Sequence, residues 1–323
     1  MVKLVARNEK DCTMIIIDTH CDTLTELAKL AGRIERHPAQ SSSDVNPVVT
    51  YEHMKQGGVT LQVTTLWAGP IGPAGHPYER AMAQVESIPE LTAQGLVQYK
   101  EFVSAKEDAP GFILSVEGAE VFEGSIERVH EFYDRGVRMC ALLWNNENEL
   151  GYPHCKDGDK PLKPFGLEAV REMNRLGIAI DVSHLGEGGF WDLIEHADKS
   201  PMASHSCCRA LRDHSRNLTD DQIRALILRG GWIGINFYPA FLSDKPNPVT
   251  VQTVVDHIDH IIQLGGAGNV GFGSDFDGIE STPIGLEHPG KMGNLVDALR
   301  ARYDEQTVRG IAGESFLRYI SKI

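Results

Sequence analysis

MIIIDTHCD, at residues 14–22, carries the first decision about this chain. Four apolar residues in a row, three of them β-branched, read as a short strand buried on both faces. The run then ends in Asp18, His20 and Asp22, each two positions from the next. Side chains two apart on an extended chain point the same way, so His20 and Asp22 converge on one point just past the strand. An imidazole and a carboxylate brought together there are the beginning of a divalent-metal site. For this stretch alone the alternative is a strand ending in an ordinary polar turn. What separates the two is whether similar clusters recur.

The rest of the chain alternates short apolar runs with longer amphipathic ones. Strands are expected at 13–19, 59–66, 111–116, 137–143, 178–182, 201–204, 232–236 and 270–273. Helices are expected at 78–95, 125–135, 167–176, 189–197, 219–228 and 251–264. Gly95, Gly136, Gly177, Gly230 and Gly265 follow helical patterns as stop signals. Thr219, with Gln222 three positions on, has the form of a capping box. Residues 32–50 and the Gly/Pro-rich 68–77 are expected as rim loops, and the chain from Phe316 onward as a terminal helix. Within 251–264 the stripe Val254, Val255, Ile258, Ile261 and Ile262 leaves His257 and His260 on or near the solvated side. Strands alternating with helices along nearly the whole chain predict an α/β fold, a (β/α)8 TIM-type barrel in a single domain over 1–323. An open doubly wound sheet would carry a Gly-rich phosphate turn after its first strand; THCDT stands there instead.

A chain of 323 residues accommodates one large domain or two ordinary ones. Its formal charge of −14 argues against nucleic acid or an anionic membrane as a partner, because phosphate binding needs clustered Lys and Arg. Six cysteines (Cys12, Cys21, Cys140, Cys155, Cys207 and Cys208) are too few and too scattered for a disulfide framework, so reduced thiols in the cytoplasm are expected. The start, MVKLVARNEKDC, has no apolar stretch of signal-peptide length, and no segment reaches transmembrane length.

In a (β/α)8 enzyme, chemistry sits at the carboxyl ends of the strands. The first expected strand delivers His20 and Asp22, and the third, GFILSVEG, delivers Glu117. The fifth, IAIDVSH, delivers His184; the sixth, PMASHS, His205; the eighth, VGFGSDFDG, Asp275 with Asp277 close behind. Histidines and carboxylates recurring at one structural position on five strands point to a metal site. Six candidates exceed the three protein ligands plus water of a single catalytic zinc. Two ions are therefore expected, with a bidentate carboxylate such as Glu117 suited to bridge them. Zn²⁺ suits this donor mix, and Mn²⁺, Fe²⁺ or Co²⁺ suit it too. Cys21 should point away from its neighbours, and Cys207 and Cys208 follow a strand end, so sulfur ligation is not expected.

Taken together, these motifs resemble the membrane (renal) dipeptidase family of binuclear zinc peptidases, within the wider amidohydrolase group of metal-dependent barrels. The matching stretches are DTHCD at 18–22, VEG at 116–118, DVSH at 181–184, SHS at 204–206, HSRN at 214–217, NFY at 236–238 and HIDHI…VGFGSDFDG across 257–278. They run almost the length of the chain, in order. The resemblance implies a barrel, commonly dimeric, that hydrolyses dipeptides and often tolerates a D-residue at the C-terminal position. It implies one metal held by His20 and Asp22, the other by His184 and His205, and Glu117 between them. Asp275 is then the general base, taking a proton from the attacking water and passing it to the leaving amine. Arg216 of HSRN is the expected partner of the substrate's free carboxylate, which its planar fork meets bidentately. Tyr238 would add a hydrogen bond, Asp18 would orient a ligand histidine, and Asp277 would act as a supporting or capping residue.

One stretch departs from the family. Its mammalian members carry a histidine after the fourth strand that contacts the substrate's carbonyl oxygen; here Trp144 or Asn145 of ALLWNNENEL stands in that place. An asparagine amide can donate to a developing oxyanion but cannot become charged. Two other functions compete. Another amidohydrolase-type enzyme, acting on N-acyl-amino acids or lactones, would often have a lysine where Glu117 stands. A non-enzymatic metal-binding protein would have no use for a proton-carrying Asp275.

Overall fold

The computed structural model describes residues 14–35, 46–69, 76–102, 109–245 and 247–323. The amino-terminal stretch with Cys12 and Thr13, and parts of the two expected rim loops (36–45 and 70–75), lie outside the described residues. Among the described residues there are nine strands: β1 Ile16–Asp18, β2 Val59–Trp67, β3 Val97–Gln98, β4 Gly111–Glu117, β5 Val137–Ala141, β6 Ala179–Asp181, β7 Met202–Ala203, β8 Trp232–Ile235 and β9 Val270–Phe272. Neighbours run β2-β1-β9-β8-β7-β6-β5-β4, and β2 also pairs with β4, so eight strands close into a parallel barrel. The short β3 was not expected; it adds to β4 at Gly111 and Phe112. The β2–β4 seam is in register from Leu61 opposite Gly111 to Trp67 opposite Glu117, which places Glu117 at the top of the wall.

Parallel strands are buried on both faces and so read as continuous apolar runs. β4 is buried along its whole length. Ile17, Leu61, Val63, Ile113, Met139, Ala179, Met202 and Trp232 face one another inside the barrel and pack with Phe316, Tyr319 and Ile320. The terminal helix Ser315–Ile320 therefore plugs the amino-terminal mouth. At Gly271 on β9 a Cβ would lie 2.4 Å from the Trp232 ring, so that strand yields its place to the indole. With this end sealed, the opposite mouth is left for chemistry.

The expected helix over 78–95 is two helices, Pro77–Val85 and Ile88–Ala93. Pro89 has no N–H to continue a helical ladder and sits in the first turn of the second helix. The capping box at Thr219 forms, and Gly177 and Gly230 cap their helices in the left-handed conformation. His257 corrects the periodicity argument: it is buried, accepts from the Cys208 N–H at 3.0 Å through Nδ1, and lies 3.0 Å from Leu242 O through Nε2. Two polar partners let an imidazole lie among apolar neighbours. His260 is partly buried, against Asp220 Oδ1 at 2.8 Å. Among the described residues no helix is long and apolar enough to cross a membrane.

Candidate active site

The carboxyl ends of β1, β4, β6, β7 and β9 bring His20, Asp22, Glu117, His184, His205 and Asp275 to one point. His20 and His205 stack with ring centroids 3.7 Å apart. His20 Nε2 lies 3.5 Å from Asp22 Oδ2, 3.7 Å from Glu117 Oε2 and 3.8 Å from Asp275 Oδ1. Glu117 turns its other oxygen to the opposite pair, with Oε1 3.0 Å from His184 Nε2 and 3.5 Å from His205 Nε2. His184 and Asp275 enter from left-handed backbone, φ 67° and 66°, a conformation that non-glycine residues hold at a local cost and that clusters at functional sites.

Hydrogen-bond relays fix these side chains. Asp181, the last residue of β6, accepts the Ser183 and Ser204 N–H groups, each at 2.9 Å, and the Ser204 hydroxyl. With its proton so engaged, Ser204 Oγ accepts from His205 Nδ1 at 2.7 Å. Asp18, the last residue of β1, similarly accepts the Ser274 N–H at 2.7 Å, the Ser274 hydroxyl, and the His20 N–H at 3.5 Å. Asp18 thus holds the backbone of His20. In the loop after β5, Asn145 Oδ1 lies 2.9 Å from His184 Nδ1 and 3.2 Å from His154 Nε2. That loop is held by Glu120, which accepts from the Asn146 and Asn148 amides at 2.8 Å each.

With both Nδ1 atoms donating outward, His184 and His205 each present a lone pair on Nε2, and the two atoms face each other at 3.1 Å. Lone pairs that close repel unless a positive charge lies between them. His20 Nε2 is buried without a hydrogen-bond partner. Two subsets are close enough to share an ion: His20, Glu117 and His205, and His20, Asp22 and Asp275. Imidazole nitrogen with carboxylate oxygen is the donor set of a borderline divalent cation. These residues fit a metal.

The electrostatics agree. Burial pushes Glu117 well above the usual carboxyl range, opposed by His20 and reinforced by Asp22 and Asp275. Burial likewise pushes Asp275 up to about 7, against His20 and with Asp22. Burial works against charge on His20, but Glu117, Asp22 and Asp275 outweigh it and raise that ring to about 10. Burial, with Arg216 and His20 adding to it, keeps His184 and His205 neutral. Crowded carboxyls that resist ionisation beside neutral imidazoles form a site that a cation relaxes.

Other expected residues fall close by. Arg216 is 3% exposed, donates through Nη1 to Ser206 Oγ and through Nη2 to His205 O, both at 2.8 Å, and keeps Nε buried without a partner. Asn236 Nδ2 donates to Asp275 Oδ2 at 2.8 Å, while its Oδ1 accepts the Tyr238 N–H at 2.6 Å. The Tyr238 hydroxyl meets the Glu280 side chain. Trp144 packs edge-on against Trp67 at 5.1 Å. Asp277 accepts from Thr23 Oγ and the Val48 N–H, both at 2.7 Å, and so ties down a loop. Cys21, Cys207 and Cys208 are in neither candidate ligand group. The Asp181–Ser204 relay and His154 were not anticipated. Asp181 and Ser204 were visible inside DVSH and SHS, whereas nothing in LGYPHC marks His154.

A parallel barrel whose strand ends gather imidazoles and carboxylates is the architecture of a metal-dependent hydrolase. This chain belongs to the membrane dipeptidase family, peptidase family M19, whose model matches residues 9–323, and it is a metallo-dipeptidase. An uncharacterized protein of Klebsiella pneumoniae is 33% identical over 268 residues, which is 77% of this chain and 98% of that protein. An uncharacterized dipeptidase of Schizosaccharomyces pombe is 37% identical over 211 residues, 64% of this chain and 51% of that longer protein. A metallo peptidase of Rhodobacter sphaeroides, solved with a phosphinate mimic of the dipeptide L-Ala-D-Ala, shares the fold at a TM-score of 0.85 and 26% identity, covering 96% of this chain and 99% of that one.

Proposed function

We propose that this chain is a binuclear zinc dipeptidase acting on dipeptides with a free C-terminal carboxylate, L-Xaa-D-Xaa among them. The observation that carries the reading is the divided Glu117 carboxylate, one oxygen 3.0 Å from His184 Nε2 and the other 3.7 Å from His20 Nε2. A carboxylate shared in this way is what a pair of ions requires between them. His20 and Asp22 would hold one ion and His184 and His205 the other, as zinc or, with the same donors, Mn²⁺, Fe²⁺ or Co²⁺. When bound, the ions would supply Lewis acidity toward the scissile carbonyl and a more acidic water.

The chain's own residues do the rest. Asp275, oriented by the Asn236 amide at 2.8 Å and raised by burial to about 7, takes the proton of the attacking water and delivers it to the leaving amine. Arg216 meets the free carboxylate with its buried, unpartnered Nε edge. Asn145 steadies His184 through its Oδ1 at 2.9 Å, and Asn145, Trp144 and Tyr238 would contact the substrate. The enzyme is read as a single-domain, cytoplasmic homodimer over 1–323; the five described cysteines, all unpaired, accord with a reducing compartment.

The test is metal analysis of purified protein together with a panel of L-Xaa-L-Xaa, L-Xaa-D-Xaa, C-terminally amidated and N-acylated dipeptides. About two equivalents of metal and loss of turnover on amidation are expected. Equal turnover of amidated substrates would remove the Arg216 role, and cleavage of N-acyl-amino acids alone would favour the rival hydrolase.

A further inference from the structure

Beside His184, the loops after β5, β6 and β7 enclose a cavity of about 400 Å³. Part of its lining is apolar, from Val182, Leu185 and Phe190, and two guanidinium groups also line it, Arg209 and Arg216. The donors already engaged meet neutral oxygens. Arg209 Nε reaches Asn217 O and its Nη2 reaches Ser215 O, both at 3.0 Å, and Arg216 holds His205 O and Ser206 Oγ. Among the described residues neither arginine makes an ion pair with a carboxylate, and Arg216 keeps a buried Nε with no partner. Asp159 and Glu187 also line the cavity, but both are exposed to solvent.

Partly or wholly buried guanidinium groups without a carboxylate await an anion, because desolvated charge is costly unless matched. One substrate carboxylate accounts for Arg216 and leaves Arg209 over. We propose that the cavity receives the C-terminal residue of the dipeptide and selects one with an acidic side chain, aspartyl or glutamyl. Arg216 meets the main-chain carboxylate, Arg209 the side-chain carboxylate, and the apolar lining the methylene stem. The proposal rests on the dipeptidase reading and narrows its substrate class.

Kinetics on the zinc-loaded enzyme test it, using L-Ala-Xaa in both configurations at Xaa and comparing Glu with Gln and Asp with Asn. In the wild type at least one acid should exceed its isosteric amide in kcat/KM by about tenfold or more, the worth of one charge-assisted contact, and the gain should appear in KM. Arg209→Met should bring that ratio to near one, and Arg209→Lys, keeping charge without the fork, should retain part of it. Because Arg209 also braces its own loop, the variants are compared by ratio and checked by thermal melting. Amides cleaved as well as acids by the wild type would overturn the proposal without any variant, while leaving the dipeptidase reading intact. An undiminished ratio in folded Arg209→Met would also overturn it. Absence of turnover on every dipeptide would instead remove the reading on which it rests.

Discussion

His184 and His205 present lone pairs to the site because each has its Nδ1 occupied, by Asn145 Oδ1 at 2.9 Å and Ser204 Oγ at 2.7 Å. Outer partners of ligand histidines set the tautomer and typically contribute 10–100-fold to metal affinity. Asn145→Ala and Ser204→Ala should each weaken zinc binding by about that factor, read by competition with a chromophoric chelator; unchanged affinity would show that the relays are only structural. Asp275 makes a second prediction. Asp275→Asn should lower kcat by about 10²–10⁴ while zinc still binds. In metal-stripped protein its folded value of about 7 lies above the ordinary 3.8. Between these values the native state keeps a proton that the unfolded state has released, so this group's contribution to stability falls as pH rises. Melting temperatures of Asp275→Asn relative to wild type should therefore climb from pH 4 to pH 7, and a flat difference would contradict the shift. The candidate ligands were legible because each follows an apolar run, where period and position announce them. The relays were not, because Asp181 finds Ser204 across a strand pairing that no local pattern encodes.

The terminal helix shows how an element far from the chemistry supports it. Phe316 is fully buried, edge-on to Trp232 at 5.4 Å and to Phe102 at 5.3 Å, under the barrel floor. Phe316→Ala should destabilise the protein by about 3–5 kcal/mol, the usual range for truncating a buried aromatic. Urea unfolding would measure this, and a loss below about 1 kcal/mol would mean that the plug is dispensable. The barrel strands could be read beforehand because burial on both faces leaves an unbroken apolar signature. Two elements could not. β3 is two residues long, and neither is buried. The break between Val85 and Ile88 hides inside an amphipathic pattern that continues through it. His257 misled for a related reason: periodicity ranks a histidine as polar, while its position is settled by Cys208 N–H and Leu242 O, contributed by other segments of the chain.

At the scale of the whole molecule, the candidate ligands come from positions 20 to 275 on strands all around a closed sheet, so any ion they share clamps the barrel's mouth. Strand order followed from the alternation of runs, but closure through the β2–β4 seam is a property of the assembled sheet and had to be seen. A ligand that binds only the folded chain stabilises it by RT ln(1 + [L]/Kd), about 2.7 kcal/mol at a hundredfold excess over Kd. Removing the metal by chelation should therefore abolish turnover and lower the melting temperature together. It also leaves Glu117 and Asp275 crowded beside Asp22 with no cation to relax them. Titrating zinc back should restore both signals, with melting rising as the logarithm of free zinc and binding saturating near two equivalents. Glu117→Ala removes a group whose two oxygens face the two histidine sets. It should reduce tight binding to one equivalent or less and steeply lower turnover. Two equivalents bound with wild-type affinity in that variant would show that the ions do not share Glu117, and the site would then have to be redrawn as two independent centres.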